Sequence, residues 1–369
     1  MTQREAQILH WVEENPLISQ QELAKRAGIT RSSVAVHLSN LTKKGYIIGK
    51  GYITRTAAYA VVVGAVNMDI GGRSFAPLVA RDSNPGRVRM SLGGVGRNIA
   101  HNMSLLGLDV RLITALGEDS HAREIAASCG ALGIDLSQSI QVPGACTSTY
   151  LYLAGQEGDM ALAVSDMEIY DHLTPAFLSA RLKTLNHARL VIADTNLPAE
   201  SLAWLAAHCT APLFADPVST AKAVRLKPIL GQLHTLKPNR IEAELLSGVP
   251  ITDTDSLRRC ADALLETGLH RVFISLGGEG VYAADRFGTR LQLPCLPGEM
   301  VNTTGCGDAF MAALAWAWLE GLDLKSSAQA GLAASAVAME GSETINPALC
   351  SAELQRRAGF SIDSSLKES

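Results

Sequence analysis

Residues 302–321 read NTTGCGDAFMAALAWAWLEG. Gly305, Cys306 and Gly307 run directly into an alanine-rich helix, so their backbone N–H groups project at the helix's positive end without intrahelical acceptors. Glycines let a phosphate or carboxylate approach the backbone closely, which makes this turn an anion hole. Asp308 falls in the first turn, where it can take a proton from a hydroxyl held against that hole. The same spelling fits an aspartate that only satisfies the helix dipole, and this stretch alone leaves both readings open. A second turn of this kind precedes it. SLGGVGRNIAHNMSLLG, residues 91–107, puts Gly93, Gly94 and Gly96 ahead of Asn98 and a helix, which fits either a binding loop or a tight strand-to-helix connection.

Around these turns, from Tyr59 onward, strand-like and helix-like segments alternate. AVVVGAV opens the series, and VRLITALG, ARLVIADTN, PLFADPV, LHTLKPN and RVFISLGG each precede a helical pattern. Such alternation predicts an α/β fold with a largely parallel sheet covered by helices on both faces. Two segments, about 70–92 and 145–166, lack helical periodicity and contain alternating positions such as TSTYLYLAG. They are expected to pair into a small separate sheet forming a lid.

Residues 1–56 differ in texture. Ala6, Ile8, Leu9 and Val12 keep helical spacing, Ser19 precedes the run QQELAKRAG ended by Gly28, and Thr30 heads RSSVAVHLSNLTKKG, ended by Gly45. Ser19 with Glu22, and Thr30, read as N-caps. YIIGKGYI then predicts a hairpin through residues 49–51. Of 32 Lys and Arg and 36 Asp and Glu, eight and four fall in residues 1–56, about +4; the rest holds 24 against 32, about −8.

Composition bounds the class. The chain has 369 residues, 47% hydrophobic and 18% charged, as in a globular protein, and no apolar run long enough to span a bilayer. Its first residues do not read as an export signal, and a cytoplasmic location is expected. Seven scattered cysteines, Cys129, Cys146, Cys209, Cys260, Cys295, Cys306 and Cys350, form no metal or redox motif and read as reduced thiols, mostly core filler.

The two glycine-rich stretches together resemble the signature patterns of the ribokinase, or PfkB carbohydrate kinase, family over about residues 59–350. The resemblance implies an ATP-dependent phosphotransferase with a ribokinase-like α/β sandwich, a β-lid and magnesium (Mg2+). It makes Asp308 the base and Gly305, Cys306 and Gly307 the anion hole. Gly93, Gly94 and Asn98 match the sugar-binding loop, joined by Asn67 and Asp69 from GAVNMD. Asn239 and Glu242 in KPNRIEAE match the motif that organises magnesium and phosphate, with Lys237 adjacent. Ser275, Gly277 and Gly280 in SLGGEGV, with Thr304, match nucleotide contacts. The same two stretches could instead be a helix start and a hairpin turn.

Residues 1–56 resemble winged helix-turn-helix modules, with 30–43 as the recognition helix. This implies Arg31, Ser32, Ser33 and His37 at bases and Lys43, Lys44 and Lys50 at phosphates; a helical appendage that mediates dimerisation is the alternative.

Within the kinase family, RDSNPGRV, GGVGRNIAHN, VPGACTSTYLYL, FADPVS and HTLKPNRIEAELLSG resemble the bacterial pseudouridine kinases. This implies a nucleoside acceptor phosphorylated at its 5′-hydroxyl, with Ser83, Asn84, Thr147, Ser148, Thr149 and Asp166 near the base or ribose. Another nucleoside, ribose or a ketohexose are the alternatives in the same class. A transcription regulator that uses the kinase fold as a ligand sensor is the alternative outside it. The family's usual Asp is replaced by Asn302, which with Thr304 would hold a potassium ion (K+) more weakly. Cys306 stands for the commoner Ala, and its thiol at a helix start is open to acidification. A homodimer is expected, since family lids and helix-turn-helix modules both pair.

Overall fold

The computed structural model describes residues 1–48 and 58–362. The expected hairpin through residues 49–51, with Lys50, lies outside the described residues. The chain divides into two compact units, Met1–Ala58 and Tyr59–Ser369.

In the first unit, helices Gln3–Glu14, Gln20–Ala27 and Arg31–Lys43 close over Ile8, Val12, Leu23, Val34, Leu38 and Leu41. Ser19 and Thr30 cap the second and third helices through the N–H groups of Glu22 and Ser33. Thr2 and Glu5 form a capping box that the sequence reading missed. Glu5 is buried and takes the ammonium of Lys44 at 2.8 Å, a hydrogen bond that holds its carboxyl down to about 2. Lys44 therefore spends one of its three N–H donors inside the unit. Arg31, Ser32, Ala35, Val36, Ser39 and Lys43 share the outward face of the third helix. Ser33 and His37 are half-buried at its edge, and the Ser33 hydroxyl lies 2.8 Å from that of Thr30.

In the second unit, an eight-stranded sheet among the described residues runs in the order Arg290–Leu293, Val281–Asp285, Arg271–Ser275, Thr235–Leu236, Leu213–Asp216, Leu190–Asp194, Tyr59–Val63, Asp109–Ile113. Pairing is parallel except at the last hairpins. Alternation along each strand splits the core in two. Val61, Val63, Val191, Ala193 and Ala215 belong to one apolar cluster, and Ala60, Val62, Leu190, Ile192 and Phe214 to the other. Helices Val95–Leu105, Cys306–Leu319 and Leu324–Met339 cover the second face; Ala199–His208, Arg240–Ser247 and Thr254–Glu266 cover the first. RVFISLGG departs from expectation. It is followed by a turn at Gly277–Glu279 and an antiparallel strand, because Gly277 and Gly280, at φ 60° and 93°, reverse the chain before a helix can start.

Strands Gly86–Gly93, Asn67–Ser74, Thr149–Ala154 and Met160–Asp166 form a separate four-stranded sheet in that order. Among the described residues no helix is long and apolar enough to cross a membrane. The cysteines depart from the reading as core filler. Only Cys129 and Cys260 are buried, while Cys146, Cys295 and Cys350 are exposed, the last capping a helix through its sulfur.

Phe214 is fully buried on a central strand, with its ring stacked on His234 and edge-on to Trp318. Phe214→Ala should destabilise the second unit by about 3–5 kcal/mol through lost burial and the cavity left behind. Urea unfolding checks it; a loss below about 1 kcal/mol would mean the site collapses to fill the space.

Candidate active site

The C-terminal ends of the parallel strands deliver carboxylates to one place: Asp194 ends Leu190–Asp194 and Asp216 ends Leu213–Asp216. Lys237, just past Thr235–Leu236, is buried with its Nζ 3.2 Å from Asp216. Burial works against this ammonium, but Asp216, Glu242 and Asp308 outweigh it and keep Lys237 above its ordinary value. Asp216 also accepts the N–H of Val218, a β-branched residue held at φ 62°.

Asp308 sits in the first turn of Cys306–Leu319, and its Oδ2 accepts the Asn98 amide at 2.8 Å. Burial, then the charge of Asp216, push its carboxyl up to about 7 against the Asn98 hydrogen bond and Lys237. Asn98 is itself buried, and its Oδ1 has no partner. A Cβ built on Gly307 would lie 3.3 Å from Lys237 Nζ, so the ammonium adjoins the N-terminal turn of that helix. The Cys306 thiol is pushed up by burial and by Asp308, against the acidification that a helix start allows.

Asn67 donates its amide to Asp69, whose carboxyl burial raises to about 6. A Cβ on Gly93 would fall 2.1 Å from the Asp69 oxygen, so any side chain there would displace that carboxylate. Arg97, buried behind this loop, donates to the Leu92 carbonyl at 3.1 Å and to Ser128.

Segment 302–307 borders two cavities. Thr303, Cys306 and Gly307 join Lys237, Ser275, Gly277 and Gly280 around one of ≈ 350 Å³. Asn302 and Thr304 join Asp69, Tyr150, Tyr152 and Glu343 around another of ≈ 800 Å³. Thr304 thus faces the Asp69 cavity, and its neighbour Thr303 the other, the reverse of the nucleotide contact expected of Thr304. Asn239 and Glu242 form a capping box at the start of Arg240–Ser247, with both bonds at 2.9 Å. Glu242 Oε1 carries no partner among the described residues, which leaves one oxygen for a hydrated magnesium ion. Asn302 fits a potassium ion poorly, because its Oδ1 already accepts the Thr304 N–H and its Nδ2 faces the Ser342 carbonyl at 3.5 Å.

Six expected substrate residues lie away from these cavities. Asn84 uses its amide on Val79 and Asp82 in its own loop, and Ser83 is exposed beside it. Thr149 and Asp166 pair with each other but stand on the strand face opposite Asp69 and Tyr150, because they are one residue out of phase. Thr147 is buried on Asp119, and Ser148 is buried on the Asp166 carbonyl. Missed by the sequence reading were Asp216 and Asp194. Both are strand-end carboxylates, and that position is the signal which could have found them.

The pfkB family carbohydrate kinase profile matches residues 57–349, and a winged helix-turn-helix DNA-binding profile matches residues 1–48. The uncharacterized sugar kinase YeiI of Escherichia coli K12 is 38% identical over 350 residues, covering 95% of this chain and 97% of its own. A pseudouridine kinase of the same organism is 37% identical over 296 residues, covering 80% of this chain and 95% of its own. The solved structure of Arabidopsis thaliana ribokinase with ribose and ATP matches with a TM-score of 0.75 at 22% identity, over 83% of this chain and 100% of that one, a likeness of fold.

The raised Asp308 carboxyl sets a pH dependence of stability. Its folded value of about 7 exceeds the unfolded value of 3.8, so its favourable contribution is full below pH 3.8 and is lost as pH rises through 7. Asp308→Asn should therefore melt above the wild type at pH 8, with the difference shrinking toward pH 5. A difference that is constant with pH in thermal melts would contradict this.

Proposed function

The chain belongs to the pfkB family of carbohydrate kinases, phosphotransferases acting on hydroxyl groups, and from that premise we propose that it transfers the γ-phosphoryl group of ATP to the 5′-hydroxyl of a nucleoside, pseudouridine. The observation that carries the reading is Asp308: a carboxylate of raised pKa, hydrogen-bonded to Asn98, in the helix turn that follows the segment bordering both cavities. The nucleotide lies in the cavity of Lys237, Ser275, Gly277 and Gly280, and the acceptor in that of Asp69, Tyr150 and Tyr152. Asp69 accepts ribose hydroxyls, and the free Asn98 Oδ1 accepts a further one. Asp308 takes the proton of the attacking hydroxyl, while the N–H groups of Gly305, Cys306 and Gly307 and the Lys237 ammonium meet the charge on the phosphoryl oxygens. Glu242 would hold magnesium through its free oxygen, and the ion would supply neutralising charge at the phosphates. The pseudouridine assignment is supported by the 37% identity to a pseudouridine kinase and by two tyrosines that offer a base their ring faces.

An ADP-release panel of nucleosides, ribose and ketohexoses tests the acceptor. Pseudouridine should give the highest kcat/KM, and Asp308→Asn should lose at least about 10³-fold in kcat with nucleoside binding retained. A free sugar that outperforms every nucleoside overturns the assignment.

The N-terminal unit is read as a DNA-binding module, supported by its family match and by Arg31, Ser32 and Lys43 on one exposed helix face. Binding by the full chain should weaken steeply with salt. Lys43→Ala should reduce the slope of log K against log salt by about 1, and absence of any binding at low salt would reduce the module to an appendage.

A homodimer through the small sheet completes the reading. Its face opposite Asp69 exposes Val88, Met90, Leu151, Leu153, Leu162 and Val164, a contiguous apolar surface that a second copy would cover. Light scattering should give twice the chain mass, and Leu162→Asp with Val164→Asp should halve it; a wild-type monomer at micromolar concentration excludes the dimer.

A further inference from the structure

The polar face of the small sheet carries a charge pattern that phosphoryl transfer does not use. Arg73 and Arg87 stand directly opposite one another across paired strands, and Arg89 lies one row nearer Asp69, opposite Gly71. Like charges directly opposed on a sheet destabilise it unless something neutralises them. None of the three has a carboxylate at ion-pair distance among the described residues; Arg73 donates to the Gln156 carbonyl at 2.7 Å, and Arg87 and Arg89 have no hydrogen-bond partner there. The domain that bears them is otherwise acidic, with 24 Lys and Arg against 32 Asp and Glu beyond residue 56.

The arginines border a concavity of ≈ 570 Å³, and Arg89 and Tyr152 line both this and the ≈ 800 Å³ cavity of Asp69. The Tyr152 ring lies over Gly71, where a Cβ would come within 2.4 Å of it, so that side chain forms the floor between the two. Asp69 and Glu343 supply negative charge to the other cavity, which confines an anion to the arginine end. Two residues along a strand advance roughly 7 Å, so Arg89 and Arg87 begin where a sugar ring held by Asp69 would end.

Resting on the nucleoside reading above, we propose that Arg73, Arg87 and Arg89 form an anion subsite that takes a phosphate group at the end of the acceptor cavity remote from Asp308. Guanidinium forks suit a phosphate, with two parallel N–H donors each. The ligand's phosphate is either free or carried by the acceptor itself, and the two sources can be told apart.

The test uses the full chain with its nucleotide cavity filled by a saturating non-hydrolysable ATP analogue and magnesium, so that added anions cannot occupy the glycine turn. In one arm, calorimetry follows pyrophosphate binding. In the other, kcat/KM for a nucleoside 3′-monophosphate is divided by that for the parent nucleoside, with ATP as donor. Arg87→Gln should weaken pyrophosphate binding about tenfold or lower the ratio about tenfold, and Arg87→Lys should do so less, keeping the charge without the fork. Pyrophosphate binding alone identifies a free anion; a shifted ratio alone identifies a phosphorylated acceptor. No binding with an unchanged ratio in Arg87→Gln, or binding that survives Arg87→Gln with Arg89→Gln in a normally melting protein, overturns the subsite. If no nucleoside is turned over, the nucleoside reading fails while calorimetry still judges the arginines.

Discussion

Lys237 is buried, and an ammonium taken out of water alone would shed its proton. It stays charged because Asp216 lies 3.2 Å away and Glu242 and Asp308 add to the field. The dependence runs in both directions, since Asp308 would stand higher still without the ammonium nearby. Two strands, a capping box and a helix N-terminus must all be in place for this set of charges to balance. Asp216 is locked in turn by the Val218 N–H, in a loop whose β-branched residue sits at φ 62°. That conformation costs on the order of 1–3 kcal/mol and persists only where the surroundings over-determine it. Strain of this kind beside a buried ion pair is the mark of a site built for precise placement of charge rather than for stability.

The same arrangement explains the raised pKa of Asp308. A base that operates near neutral pH needs a pKa near neutrality, and a carboxylate acquires one by burial next to another carboxylate. Asp216 therefore has two effects: it keeps the Lys237 ammonium charged, and its charge lifts the Asp308 carboxyl. Separating these effects by substitution is difficult, because removing Asp216 leaves an unpaired buried ammonium.

Much of the architecture was legible in the sequence because hydrophobic pattern and chain reversal are local. The strands AVVVGAV and ARLVIADTN are apolar on both faces, as a sheet covered on both sides requires, and Gly28 and Gly305 mark helix boundaries where the chain turns left-handed. Asp308 and Asn98 were legible too, as helix starts behind glycine-rich turns, whereas Asp69 and Lys237 were named only through the family resemblance. Strand parity in the small sheet was not. Thr149 lies beside Tyr150, in a stretch rightly assigned to that sheet, yet a single residue decides which face a side chain occupies. Asn84 escaped for another reason: its amide closes its own loop, a local bond that competes with any ligand. The ion pair of Lys44 with Glu5 spans 39 residues, and no local pattern announces it.

Parity also explains how one thin sheet comes to carry two unrelated surfaces. Along Gly86–Gly93 the sequence GRVRMSLG alternates arginine with valine and methionine, and along Thr149–Ala154 TYLYLA alternates tyrosine with leucine. The registers align these rows across the sheet, so Arg87, Arg89, Tyr150 and Tyr152 share the face of Asp69 while Val88, Met90, Leu151 and Leu153 share the other. Val88, Met90, Leu151, Leu153, Leu162 and Val164 leave the apolar face exposed among the described residues, an arrangement uncommon for a patch of this size in water. The polar one faces a cavity whose floor is aromatic and whose far rim is cationic. A shift of register by one residue would exchange the two faces wholesale, placing leucines over Asp69 and arginines in any apolar contact. Gly71 and Gly72 make the register tight, since Tyr152 and Leu153 occupy the space where their side chains would be, on opposite sides of the sheet.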